Sequence, residues 1–167
     1  MAQVHAAIDV DVPVSAAYGQ WTQFEEFPNF MEGVHEVQQL DDRRLHWKAE
    51  VGGHEKEWDA EIKEQVPDQR IVWASVDGET NAGIVQFLPI GAGATRVTLD
   101  MSYNPDGMIE TIGDKLGFMS RRVNGDLERF RHFIQERATP TGSYRETLEN
   151  PKAPGGFTSG RPGSDLR

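Results

Sequence analysis

The 167-residue chain contains no cysteine, which excludes disulfides, thiolate catalysis and cysteine-ligated zinc and is compatible with a reducing compartment. Positive charge is scarce: 17 Lys and Arg stand against 27 Asp and Glu, a formal charge of −10, and no basic cluster is longer than Arg121-Arg122. That balance repels a phosphate backbone, so no nucleic-acid partner is expected. Long apolar runs are missing too. The opening MAQVHAAIDVDVP has neither a basic leader nor an unbroken hydrophobic stretch, and nothing approaches transmembrane length. Neither a secretory signal nor membrane insertion is therefore expected, and the cytoplasm is the default location. GxSxG, P-loop and dinucleotide motifs are absent as well; the GAGAT of 91–95 precedes a strand rather than a helix, which makes it a hairpin turn and not a phosphate cradle. The histidines His5, His35, His46, His54 and His132 show no pair at metal spacing, so no metal and no other cofactor is expected.

What the chain does have is a change of period along its length. Hydrophobic content of 37% suits one ordinary globular core. Ile8, Val10 and Val12 alternate with polar residues as in a half-buried strand, which Pro13 ends. Val14, Ala17, Tyr18 and Trp21 then follow at helical spacing. The stretch FEEFPNFMEGV crowds Phe24, Phe27, Phe30 and Met31 around Pro28, and reads as a second short helix stopped by Gly33. From residue 34 to 103 the period is two. Leu45, Trp47, Ala49 and Val51 alternate with charged residues, a Gly52-Gly53 turn follows, and Trp58, Ala60 and Ile62 alternate on the partner strand. Strands at 71–76 and 82–88, and a last one carrying Val97, Leu99, Met101 and Tyr103 on one face, complete a meander of about six strands, with the first strand at an edge. The helical period returns in Ile109, Ile112, Leu116, Met119, Val123, Leu127, Phe130 and Ile134. Thr139-Pro140-Thr141-Gly142 ends that helix. The domain is expected over 1–138, and the Pro/Gly/Ser-rich 139–167 is expected to be a flexible tail.

This order has one sensible packing, an α+β fold in which a curved antiparallel sheet grips the long C-terminal helix. A curved sheet and a straight helix diverge, and space opens where they do. Gly113 and Gly117, one turn apart beside the apolar stripe, fit either a kink or room for a ligand beneath the helix. Trp47, Trp58 and Trp73 share the concave face and offer flat apolar surface with indole N–H donors. Phe87, Met101, Tyr103, Met108, Ile112 and Met119 continue that wall. Phe27, Phe30 and Met31 suit either a lid over the mouth of the groove or a plug in an ordinary core. Glu57, Asp59, Glu61 and Lys63 form a charged outer strand face, which only a β-bulge would turn inward.

The segments VHAAIDVDVPVSAAYGQWTQFEEFPNFMEGV, EWDAEIKEQVPDQRIVW, NAGIVQFLP and SRRVNGDLERFRHFI resemble the polyketide cyclase/dehydrase and coenzyme Q-binding START-domain group, the helix-grip (SRPBCC) superfamily shared with lipid-transfer domains and birch-pollen allergens. Within it the chain is most similar to uncharacterised actinobacterial cyclase/dehydrase-like proteins. The resemblance covers residues 1 to about 138. It implies a β-α-α-β6-α fold and an apolar cavity between the sheet and the last helix, but no single reaction. Members that cyclise aromatic polyketides carry an arginine immediately before the Val-Pro-Asp that ends the fourth strand. Here that residue is Gln65, which can donate a hydrogen bond but brings no positive charge to a developing enolate.

The leading expectation is a binder of a small hydrophobic molecule, such as a polyketide, isoprenoid quinone or lipid. The alternative is an aromatase/cyclase or dehydratase with Tyr103 and Gln65 as its polar groups. A non-enzymatic regulatory or interaction module with a filled core is the third.

Overall fold

A computed structural model describes residues 2–51, 53–77, 81–103, 112–137 and 139–149, side chains at 2, 51, 77, 103 and 112–118 excepted. Its strands are β1 (Ala2–Val10), β2 (Val34–Gln39), β3 (Arg44–Val51), β4 (His54–Val66), β5 (Arg70–Asp77), β6 (Asn81–Gly91) and β7 (Ala94–Tyr103). Helix α1 (Val14–Trp21) and a 3-10 helix (Phe24–Asn29) lie between β1 and β2, and α2 (Ile112–Arg137) follows β7. The seven strands form one antiparallel sheet in the order β1-β7-β6-β5-β4-β3-β2, so the meander runs from β2 to β7 and β1 closes its far edge. This is the helix-grip arrangement expected. Pro28 is accommodated inside the 3-10 helix rather than at the start of a turn. Gly33, which ends the segment, has φ +82°, a region closed to most side chains.

Register sorts the sheet into two faces. Leu45 pairs with Ala60, Trp47 with Trp58, Ile71 with Gln65, Gly83 with Trp73 and Met101, and Val85 with Leu99, which places all of these on the concave side. The register shift between Ile62 and Glu64 is a β-bulge. Because one extra residue reverses the alternation, the buried positions of β4 run Trp58, Ala60, Ile62 and then Gln65. The bulge thus turns in Gln65, while Glu57, Asp59 and Glu61 stay on the convex face.

On that convex face His46 bridges two carboxylates, with Nδ1 2.6 Å from Asp59 and Nε2 3.0 Å from Glu57. Hydrogen bonds to Asp59 and then Glu57 raise the imidazole pKa above its ordinary value.

Residues 139–149, which composition assigns to a flexible tail, instead lie along the body. The buried Gln20 side chain donates to the Thr141 hydroxyl (3.0 Å) and accepts from the Thr141 backbone N–H (2.8 Å), and the Thr22 hydroxyl accepts from the Tyr144 N–H (3.0 Å). Arg145 pairs through both guanidinium nitrogens with Asp68 at 2.7 and 2.9 Å, and its guanidinium carbon lies 5.7 Å from the Tyr18 ring centroid. Beyond Glu61, the partner of the first residue of β3, the edge of β4 is left open, and there Leu148 exchanges backbone hydrogen bonds of 2.7 and 2.8 Å with Gln65. The composition is that of a linker, but these contacts make 139–149 a strap.

Two outcomes follow. The chain ended at 149 melts several degrees above the chain ended at 138, because removing the strap leaves the buried Gln20 side chain without partners and breaks the contacts of Thr22 and Gln65 with the strap, at roughly 1 kcal/mol per lost hydrogen bond; thermal unfolding followed by circular dichroism measures the gap. His46 titrates above about 6.5 by NMR, and Asp59→Asn lowers its midpoint. Since folding raises this pKa, its stabilisation is complete below the unfolded value and is lost as pH rises through the folded one.

Candidate functional site

The two ends of the grip differ. At one end α1 and the C-terminal half of α2 close the concave face: Val123, Leu127, Phe130 and Ile134 of α2 meet Val10, Ala17, Tyr18, Ile62, Ile71, Val85 and Val97, and each of these is buried. Asp11 N–H donates to Gln135 Oε1 (2.7 Å), which seats this end of α2 beside the end of β1. An aromatic chain fills the space between. Phe130 is edge-on to Trp21 at 5.0 Å and to Phe30 at 5.3 Å, Phe30 reaches Phe133 at 5.3 Å, and Phe27 reaches Trp21 at 5.7 Å. Phe27 and Phe30 are 3% and 2% exposed, so they belong to the packed core and only Met31 of the three lid candidates is half-buried. Phe87 also lies at this end, against Tyr18 and Trp21.

At the other end of the concave face the burial of the described side chains is less complete. Trp47, Trp73, Met101, Met119, Met31 and Val34 pack against the core yet are only half-buried. Trp47 and Trp58, opposite one another in register, stack with ring planes 6° apart and centroids at 5.7 Å. Phe27 touches Trp47 at 5.7 Å and so forms the boundary between the filled end and the tryptophan wall. Trp73 lies across β6 because Gly83 has no side chain: a Cβ there would sit 2.5 Å from the indole ring. The Trp47 Nε1 atom is buried without a hydrogen-bond partner. Met108 falls outside the described residues, as do the side chains of Tyr103 and Ile112.

The turn after the 3-10 helix is tied to α2 beside this opening. Asp126 accepts from Glu32 N–H (2.9 Å) and from Arg129 (2.6 Å), Arg129 donates to the Phe30 carbonyl (3.0 Å), and Arg122 donates to the Glu50 carbonyl (2.7 Å). Burial pushes the Asp126 carboxyl above the usual carboxylate range, against the opposing pull of these donors. Sequence reasoning missed this fastening, because Asp126 and Arg129, three apart on a helix, look the same as an ordinary solvated ion pair.

Gln65 does not reach the tryptophan wall. It lies at the closed end, 1% exposed, where its amide faces the Tyr18 hydroxyl without a well-aligned hydrogen bond. Burial, the largest influence on Tyr18, pushes its phenol up. Two hollows are outlined by described residues, neither of them at Trp47 or Trp58. One of about 430 Å³ is lined by Glu25, Glu26, Asp41, Asp42 and Tyr144, whose phenol is pushed up to about 12 by burial and by Asp42; the other, of about 300 Å³, lies over β1, β7 and β6 beside the His5–Asp100 pair. Among the described residues no group of His, Asp and Glu is arranged to hold a metal ion.

An antiparallel sheet gripping a C-terminal helix is matched by comparison with known proteins. Residues 10–131 match the family described as polyketide cyclase / dehydrase and lipid transport. The chain belongs to that family. An uncharacterized 17.2 kDa protein of Streptomyces lincolnensis is 50% identical over 146 residues, covering 87% of this chain and 97% of its own, which fits the actinobacterial character of the sequence. A solved structure from Deinococcus radiodurans superposes with TM-score 0.63 at 28% identity, over 81% of this chain and 98% of that one. The Zhui aromatase/cyclase of a Streptomyces species superposes with TM-score 0.68 at 12% identity, over 85% and 98%, which shows a shared fold. Other neighbours include a START superfamily protein of Mycobacterium smegmatis. Among the described residues no helix is long and apolar enough to cross a membrane.

Two substitutions separate the ends. Phe30→Ala costs about 3–5 kcal/mol in urea unfolding, as expected for a ring enclosed by Phe27, Phe130 and Phe133. Gly83→Ala displaces the Trp73 ring and shifts its fluorescence emission, and it also destabilises the fold, by about 1–3 kcal/mol, because the added Cβ presses on the Asp100 carbonyl at 2.9 Å as well as on the indole.

Proposed function

We propose that the protein binds a small, flat hydrophobic molecule, of the polyketide, isoprenoid quinone or lipid class, against the tryptophan wall between the sheet and the N-terminal half of α2. The observation that carries this reading is the stacked Trp47–Trp58 pair, continued by Trp73, at the end where concave apolar side chains are left half-buried. Trp47, Trp73, Met101 and Met119 are left half-buried around the stacked pair, and a ligand laid against them recovers burial that the fold leaves incomplete, at about 25 cal/mol per Å² of apolar area. Membership of a cyclase/dehydrase and lipid-transport family supports an apolar ligand, whether carried or transformed.

Carriage is favoured over cyclisation. A cyclase needs a charge or donor where an enolate develops. The one residue that stands at the family's arginine position, Gln65, is uncharged and buried beside Tyr18 under the strap, apart from the tryptophans. The Zhui aromatase/cyclase supports only the fold at its level of identity.

Titration with 2-ethylnaphthalene, read by intrinsic tryptophan emission, is expected to give a saturable curve with a micromolar-range Kd, and Trp58→Ala to weaken it at least about tenfold. Native mass spectrometry of the purified protein, with organic extraction of any adduct, identifies the natural ligand class. A titration that never saturates, or one indifferent to Trp58→Ala, overturns the reading.

A further inference from the structure

The strap of residues 139–149 is fastened entirely from outside itself. Among the described residues no hydrogen bond joins one strap residue to another; each one runs to the body. Thr141 meets Gln20, Tyr144 meets Thr22, Arg145 meets Asp68 and Leu148 meets Gln65, while Arg43 donates to the Glu149 carbonyl at 2.7 Å. These contacts reach the end of α1, the β2–β3 turn, the edge of β4 and the turn before β5. The family match stops at residue 131, so the strap lies outside the part of the chain that the family shares.

The residues it lies against are incompletely satisfied. Tyr18 and Gln65 are both buried, and neither the Tyr18 hydroxyl nor the two polar atoms of the Gln65 amide have a hydrogen-bond partner. The Arg145 guanidinium lies over the Tyr18 ring, whose other neighbour is Phe87, edge-on at 5.5 Å, and Leu148 is paired with the Gln65 backbone. Buried polar atoms without partners are penalised, and the penalty is relieved when water reaches them. Lifting the strap therefore loses its contacts with the body but returns hydration to three polar atoms, and it breaks no hydrogen bond within the sheet or within α1. A segment held in this way opens more readily than the core to which it is tied.

We propose that residues 139–149 are a reversible cover: the strap leaves the body as one unit while the body stays folded, and its departure bares the Tyr18–Gln65 pair and the edge of β4 at Gln65. The closed end then has two states, one in which the Gln65 amide is enclosed and one in which it meets solvent. The strap moves as a unit because its fastenings at 141, 144, 145, 148 and 149 stand too close together for one part to lift far while the rest holds. The Arg145–Asp68 pair is the fastening most open to solvent and the weakest of them. This inference is independent of any ligand at the tryptophan wall.

Native-state hydrogen exchange on the full chain, followed in 15N–1H spectra, tests this. The backbone N–H groups of Thr141, Tyr144, Leu148 and Gln65 all donate across the strap contact, whereas Val85 and Leu99 are paired within the sheet. The four strap-contact amides are expected to share one protection factor, at least about tenfold below that of Val85 and Leu99, and the side-chain amide protons of Gln65 to exchange together with them. Arg145→Gln is expected to lower the shared protection about threefold and to leave Val85 and Leu99 unchanged. Three results overturn the proposal. Four amides as protected as Val85 and Leu99, or an Arg145→Gln effect that reaches those two equally, make the strap a fixed part of the core. Widely different protection among the four, or none at all, means that it frays rather than opening as a unit. Gln65 side-chain protons that stay protected at the level of the sheet while the strap opens mean that it does not cover this pair. Should Arg145→Gln fold poorly, the wild-type exchange decides alone.

Discussion

The structure depends on the way Phe130 is enclosed. Its ring meets Trp21 from α1 and Phe30 from the end of the 3-10 helix, both edge-on, so three separate segments are joined at a single point on the last helix. Edge-to-face geometry lets each ring present its positive rim to a neighbour's negative face, which adds roughly 0.5–1.5 kcal/mol per pair to the burial of large apolar areas. Fixing α2 here fixes its C-terminal half against the sheet. The same placement sets Val123, Leu127 and Ile134 against the sheet, so this end of the concave face is filled.

The tie between Asp126, Arg129 and the turn at Phe30–Gly33 follows from this arrangement. The turn lies between the enclosed aromatic residues and the opening, where its backbone groups would otherwise face either a core that cannot satisfy them or a cleft that must stay apolar. Asp126 and Arg129 satisfy the Glu32 N–H and the Phe30 carbonyl from the helix instead. A largely buried carboxylate is costly by itself, which is why burial raises its pKa, and two donors, the Glu32 N–H and Arg129, together with the nearby charge of Arg122 oppose that cost. The mouth of the cleft is thereby held by polar groups that take no part in its apolar wall.

Much of this was legible in the sequence. Period two from residue 34 to 103 and period three to four after it specify a sheet followed by a helix, and Trp47, Trp58 and Trp73 fall on one face by alternation alone. Alternation also placed Glu57, Asp59 and Glu61 outside. What it could not place was the division of the aromatic residues between the ends. Phe27 and Phe30 belong to the packed core and Trp47 to the open wall, although all three are equally apolar, because which rings meet depends on the angle at which α2 crosses the sheet. The inward turn of Gln65 was hidden for a related reason: it depends on a bulge between Ile62 and Glu64, and nothing in the local sequence marks the extra residue.

The strap was illegible for a different reason, and it explains how the closed end is sealed. Composition reads Pro, Gly and Ser as an inability to bury apolar surface, and 139–149 indeed buries little. It is held by directed polar contacts: the Gln20 side chain and the Thr22 hydroxyl, both inside the fold, find their partners on the strap, and Gly19 and Gly142 allow the close approach, since a Cβ on either would sit under 3 Å from the other segment. Gln20, buried in α1, would lose both of these partners in a domain that stopped at 138, so the strap completes the closed end by supplying the acceptor and the donor that a side chain inside the fold requires.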